Sequence, residues 1–368
     1  MSEYQYFEWQ AIDRLLTEQE VDEVAGLSSH MDVVSSAQAV VTYSWGDFKH
    51  DAKKVLLKYF DAALYFTNWG SRQLMFRFPA DAIDIEQIEA YCLLDQISIT
   101  VSGEYAALDF DFGEEAPDDE MLDFSLAPFL ALREQIMQGD YRALYLAWLT
   151  AIGNDAMDES LDDREPPVPA GLKTLSAGLR EFTRFISLDP FVTQAAQAGS
   201  SPLKPVTDTA LLKALPALTR DECEDYLRQM LQNPRPAANA LRKRLTQLAG
   251  IEQRADASGR RTAAEMYHTA ERFQIADQKR KQADSERKRV EQMEDLARTE
   301  PSVWAAVEKR LLEKNAKAYD AAIVLVIQLR DLASYKNMPV EFQQRLDGIK
   351  QRYSNRPAFM ERLKAHGL

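Results

Sequence analysis

The hydrophobic pattern changes period near Asp118, and that change constrains the fold of this chain more than any single motif. Before it, apolar side chains recur at every second position in short runs broken by short helical stretches. After it, they recur at helical spacing to the end. The expected class is α+β: an N-terminal antiparallel sheet with helices packed on one face, followed by an all-α region with one long charged helix.

In the first part, residues 4–10 (YQYFEWQ) read as a strand with Tyr4, Tyr6, Glu8 and Gln10 on one side and Phe7 and Trp9 on the other. Thr17 and Glu20 have capping-box spacing and open a helix with Val21, Val24 and Leu27 inward, closed near Gly26. Alternation returns from Val40 to Trp45, and Asp51 is placed to cap a helix carrying Val55, Leu56 and Phe60. Residues 63–68 and 73–78 read as strands joined by a turn at Gly70, and Ile97 to Val101 and Ala106 to Phe112 as a second hairpin across Gly103. About five strands are expected.

In the second part, Pro128 and Gly139 bracket one helix, and Asp140 caps the next. The expected division is an α+β domain over 1–152, an acidic Pro-rich linker over 153–171, a helical domain over 172–258, a long charged helix over 259–300 and helical hairpins over 301–368. Leu172, Leu175, Leu179, Phe182 and Ile186 share a helical stripe; Thr219 and Glu222 cap a helix expected to turn Cys223, Tyr226, Leu227 and Met230 inward. Residues 259–299 lack Pro, and their middle, DQKRKQADSERKR, carries almost no apolar side chain, so an exposed helical arm of roughly 60 Å is expected. Ala321 to Ile327 has the composition of a buried strand, but its flanks favour a helix.

Charge is divided unevenly. Residues 1–170 hold 10 basic and 33 acidic side chains and the remainder 34 and 25, for a net charge of −14. Such polarity either lets the two halves attract one another or serves an oppositely charged partner. The longest apolar run, Ala321 to Ile327, is far shorter than a bilayer span. The start, MSEYQYFEWQ, lacks a basic region followed by an apolar one, and Cys92 and Cys223 stand in no paired spacing. A cytoplasmic location is expected.

Glycine-rich phosphate loops, dinucleotide fingerprints, zinc spacings, calcium loops and nucleophile elbows are missing from the sequence. His30, His50, His268 and His366 are widely separated, so neither a metal site nor a cofactor is expected. Asp109 and Asp111 share a strand face and lead into Glu114, Glu115, Asp118, Asp119 and Glu120. Such oxygens suit a hard cation, but they equally make a solvated acidic face. Two Trp-Gly corners are the candidate ligand- or partner-binding surface: Trp45, Asp47 and Lys49 at one, Asn68, Trp69 and Arg72 at the other. The plain alternative is that glycine supplies a φ angle and tryptophan covers a sheet end. For nucleic acid the candidates are Arg242, Arg244, Lys279, Arg280, Lys281, Arg287, Lys288 and Arg289, interrupted by Asp277, Asp284, Glu286 and Glu291.

The phrases YFEWQAIDRLLT, YSWGDFKHD and YFDAALYFTNWGSRQLMFRFP resemble those of a family of uncharacterised bacterial proteins, over roughly the first 150 residues. The C-terminal YDAAIVLVIQLRDL and RPAFMERLKAHGL are similar to helical-hairpin ends in that family and in proteins carrying SWIM-type zinc fingers, near which its members are often encoded. The resemblance implies a protein partner, possibly of the SWIM zinc-finger type, rather than an activity, and the zinc ligands themselves are missing from this sequence.

Three functions follow as expectations. The first is a non-enzymatic interaction or scaffold protein that binds a partner, or another copy of itself through the long helix, by way of its helical region. The second is a nucleic-acid accessory factor, and the third an enzyme with Asp47, Lys49, Asn68 and Arg72 around a sheet-end pocket.

Overall fold

The computed structural model describes residues 3–93, 96–113, 124–154, 164–204, 206–232, 234–251 and 261–368. Among them, seven strands form one antiparallel sheet: β1 (Gln5–Gln10), β2 (Met31–Val34), β3 (Gln38–Tyr43), β4 (Ala62–Thr67), β5 (Arg72–Pro79), β6 (Ile97–Ser102) and β7 (Tyr105–Phe112). Their order across the sheet is β2-β3-β1-β4-β5-β7-β6. Both expected hairpins are present, with Gly70 at φ 108 and Gly103 at φ 62, where a side chain would be strained. The count exceeds the expected five chiefly through β2, an edge strand with a register shift between Met31 and Val33 and no clean alternation to betray it.

The sheet is covered on both faces rather than one. Phe7, Trp9, Val41, Ala63 and Met75 pack beneath α1 (Glu18–Ala25) and α2 (Ala52–Tyr59). The alternate residues Leu64, Phe66, Leu74, Phe76, Phe78, Leu108 and Phe110 form a larger core with α3 (Ile85–Glu89), α4 (Leu130–Met137), α5 (Arg142–Asn154), α6 (Ala177–Phe185) and α7 (Pro190–Gln197). Most of that second layer comes from beyond residue 124, so the strands' own neighbourhood in sequence does not announce it.

Local signals set the boundaries. Thr17 and Glu20 make the reciprocal capping box, and Asp51 accepts the amides of Lys53 and Lys54 at the start of α2. Ser176 caps α6, so Leu172 and Leu175 lie in the preceding turn instead of on its stripe. Then come α8 (Asp208–Ala214), α9 (Arg220–Gln232) and α10 (Pro234–Leu248); α8 and α10 share a small core of Leu211, Ala214 and Leu245, and α9 packs against α10. Helix α9 does not turn Leu227 inward: that side chain is 62% exposed, and Cys223, Tyr226 and Met230 are half-buried.

Helix α11 (Ala263–Leu312) does not stop at residue 300 but runs through Pro301. Proline forfeits one backbone hydrogen bond, while Trp304, Val307 and Leu311, just beyond it, are buried on one stripe that keeps the helix going. After α11 come α12 (Ala316–Tyr335), α13 (Pro339–Arg352) and α14 (Pro357–Ala365). Residues 321–327 are helical, within α12, with Ala322, Ile323 and Val326 buried.

The chain divides into two compact units, Met1–Gln274 and Ile275–Leu368. The first holds the sheet and its two helical layers. In the second, Trp304, Val307 and Leu311 pack with Val326, Leu329, Leu346, Ile349, Phe359 and Leu363. Among the described residues no helix is long and apolar enough to cross a membrane.

Candidate functional site

Strands β3 and β4 both run antiparallel to β1 and flank it, so the corners that follow them leave the sheet where β1 begins. The Gln5 side chain donates to the Gly46 carbonyl at 3.1 Å and to Asp47 Oδ1 at 2.6 Å, and the Tyr4 amide donates to Asn68 Oδ1 at 2.9 Å. With neighbouring strands about 4.8 Å apart, the two corners are separated by about 10 Å. Trp45 is 73% exposed, Lys49 is exposed and Trp69 is half-buried. Trp45, Asp47, Lys49, Asn68 and Trp69 therefore share one sheet end, where Asp47 and Asn68 also hold the start of β1.

Arg72 does not join them. It projects from the opposite face, is buried, and donates from Nη1 to the Phe185 carbonyl at 2.6 Å and to Ser187 Oγ at 2.5 Å, with its guanidinium 5.7 Å from the Phe124 ring centre. Alternation decides this: Arg72 is in phase with Leu74 and Phe76, which face the larger core. The sheet-end pocket expected around Asp47, Lys49, Asn68 and Arg72 thus loses its arginine and keeps Lys49 alone as a cation.

Asp109 is not part of a solvated acidic face. It is buried under α2, 2.6 Å from Lys53 Nζ and 2.9 Å from Gln73 Nε2, whereas Asp111 is exposed. Glu114, Glu115, Asp118, Asp119 and Glu120 lie outside the described residues. No group of three or more potential metal-ligating side chains occurs among the described ones.

Sequence reasoning missed two buried ion-pair clusters and one buried carboxylate held by neutral donors, because none has a short-range motif. Arg133 of α4 donates to Asp13 at 2.6 and 3.0 Å, while Arg77 of β5 donates to Asp61 at 2.7 Å. Asp61 also accepts the amides of Ile12 and Asp13. Burial alone would raise the Asp61 carboxyl, but Arg77, Arg133 and the two amides outweigh it and hold it below the ordinary range. Glu8, buried on β1, accepts from the Leu126 amide, Tyr6, Gln10 and Gln38. Glu165 accepts from Arg261 and Tyr145; burial, reinforced by Glu165, pushes the Tyr145 hydroxyl upward. Each cluster joins segments distant in sequence, as structural cross-links do.

The second unit contains a cleft of about 130 Å³. Trp304 and Phe342 line its apolar wall, their ring centroids 5.8 Å apart. At its mouth Lys336 Nζ lies 2.7 Å from Glu300 Oε2, and the Arg345 guanidinium stacks over Trp304 at 4.9 Å. The hydrogen bond from Lys336 is the main reason the Glu300 carboxyl sits below its usual range, with lesser help from Trp304 and Arg345.

The candidate phosphate-binding residues are mostly paired with acids. Arg280 and Lys281 share Asp277, Arg287 pairs with Asp284 at 3.2 Å and Arg289 with Glu286 at 2.8 Å. Arg242 lies 3.3 Å from Asp208 and Arg244 2.9 Å from Glu222, while Lys279 and Lys288 are exposed. From Glu271 to Val303 no side chain of α11 is buried.

The chain matches no protein-family model, no curated protein and no solved structure.

Proposed function

We propose that this chain is an interaction protein, engaging a protein partner through the polar stretch of α11 and the helical unit that follows. The observation that carries the reading is the run from Glu271 to Val303, in which no side chain is buried. Tertiary burial normally supplies most of a helix's stability. Within this run, Phe273 and Val303 near the two ends pack partly against cores, and the stretch between them carries ion pairs three or four residues apart, each contributing about 0.2–0.5 kcal/mol. A surface so long, with alternating charge and a sparse apolar minority (Ile275, Val290, Met293, Leu296), suits a protein partner of matching charge. The resemblance noted above makes a SWIM-type zinc-finger protein the first partner to try.

The test is purification of the chain at its endogenous level, wild type beside the triple variant Lys279→Glu, Lys281→Glu, Lys288→Glu, with mass by light scattering. A stoichiometric partner lost in the variant supports the reading. A monomer with no partner in either preparation contradicts it. Two features speak against the nucleic-acid reading: bases and acids interleave on the same helix, and most of the candidate cations already hold a carboxylate.

A further inference from the structure

We propose that the cleft of the second unit is an anchor pocket for an acidic peptide segment that inserts one apolar side chain. The inference rests on the interaction reading and names the partner's chemistry.

Volume sets the first requirement. A cavity near 150 Å³ lined by apolar side chains holds a benzene-sized group, so the cleft, at about 130 Å³, admits one side chain such as Phe, Leu or Met and little more. Its wall is suited to the role: Trp304 packs against Phe342 and Arg345 of α13, and Leu329, Leu332 and Ala333 of α12 share the lining. Aromatic residues and arginine are enriched at binding hot spots, and this cleft sets buried Trp304 and Phe342 beside an exposed Arg345. Met338, 43% exposed, forms an adaptable lip.

Charge sets the second requirement. Glu300 already has Lys336 as its counter-ion, and Arg345 forms no ion pair of its own among the described residues. Glu341 also borders the mouth, but it sits in the first turn of α13, where the helix's positive end balances it. The unit as a whole carries 19 basic and 14 acidic side chains over residues 275–368. A carboxylate beside the inserted side chain would meet Arg345, whereas an ammonium group would not.

The test uses the full chain and three fluorescein-labelled synthetic nonapeptides, read by anisotropy: a central Phe flanked by Asp and Glu, the same peptide with Ala for Phe, and the Phe peptide flanked by Lys. Acidic Phe peptide should bind, with at least about tenfold loss for the Ala peptide and no binding of the Lys peptide. Arg345→Ala, at an exposed position, should weaken the acidic peptide by about threefold, and Met338→Glu should abolish its binding. No binding of the acidic Phe peptide at millimolar concentration, or equal binding of all three, overturns the proposal. Concentration-dependent self-association abolished by Arg345→Ala also overturns it, by making a second copy the occupant. Should a partner co-purify with the wild type and with Met338→Glu alike, yet be lost on charge reversal of α11, the pocket assignment fails while the interaction reading stands.

Discussion

Arg72 Nη1 sits 2.6 Å from the carbonyl oxygen of Phe185, and this one contact turns an apparent ligand-binding arginine into a brace between the sheet and the end of α6. The same nitrogen reaches Ser187 Oγ, and Ser187 holds a left-handed φ of 53, a conformation uncommon for a non-glycine residue.

Arg72→Ala should therefore destabilise the first unit by about 2–3 kcal/mol, since it strands a carbonyl that now accepts a charged donor. Urea denaturation followed by tryptophan fluorescence gives the number. Any partner bound through the second unit should remain bound at temperatures where the variant is folded.

The Asp61 carboxyl sits below its ordinary range when folded and returns to it on unfolding. Its stabilising contribution is therefore fully present above about pH 4 and is lost as pH falls through the lower folded value. Asp61→Asn should remove that acid-dependent loss from the stability-versus-pH curve. It should also cost about 3–5 kcal/mol at neutral pH, because Arg77 and Arg133 lose a buried counter-ion. Denaturant midpoints at pH 3, 4, 5 and 7 separate the two effects.

Gly178 faces the main chain of Pro128 so closely that an added Cβ would lie 2.8 Å from its carbonyl oxygen. Backbone does not yield as a side-chain tip would, so Gly178→Ala should cost about 1–3 kcal/mol, despite alanine's better helix propensity. Thermal unfolding of the variant is sufficient to check the sign.

The paired bases of α11 make a further expectation quantitative. Anisotropy titrations with labelled duplex DNA and single-stranded RNA should show no binding at physiological ionic strength and only a shallow salt slope below it. A slope corresponding to about six or more released counter-ions would point instead to a continuous phosphate track.

Much of the fold was legible because its signals are local. Period-two runs placed β1, β4, β5 and β7, the Thr17–Glu20 and Thr219–Glu222 spacings placed two helix starts, and glycines marked both hairpins. What stayed hidden depends on pairings between distant residues. Neither the second helical layer on the sheet nor the Arg133–Asp13 and Arg261–Glu165 contacts leave a short-range trace. At the candidate site, the convergence of the Trp45 and Asn68 corners follows from β1 lying between β3 and β4, and Arg72 faced away from them for a reason already written in its alternation with Leu74. The cleft at Trp304 brings together residues from three helices and matches no motif spacing.

The most direct test of the interaction reading places a photo-activated cross-linking amino acid at Gln278, Ser285 or Gln292, all exposed on α11, and at Gln19 on α1 as a control, in living cells. The account predicts that the same second polypeptide is trapped from all three α11 positions and not from Gln19. Adducts missing from α11, or arising equally from the control position, would contradict it.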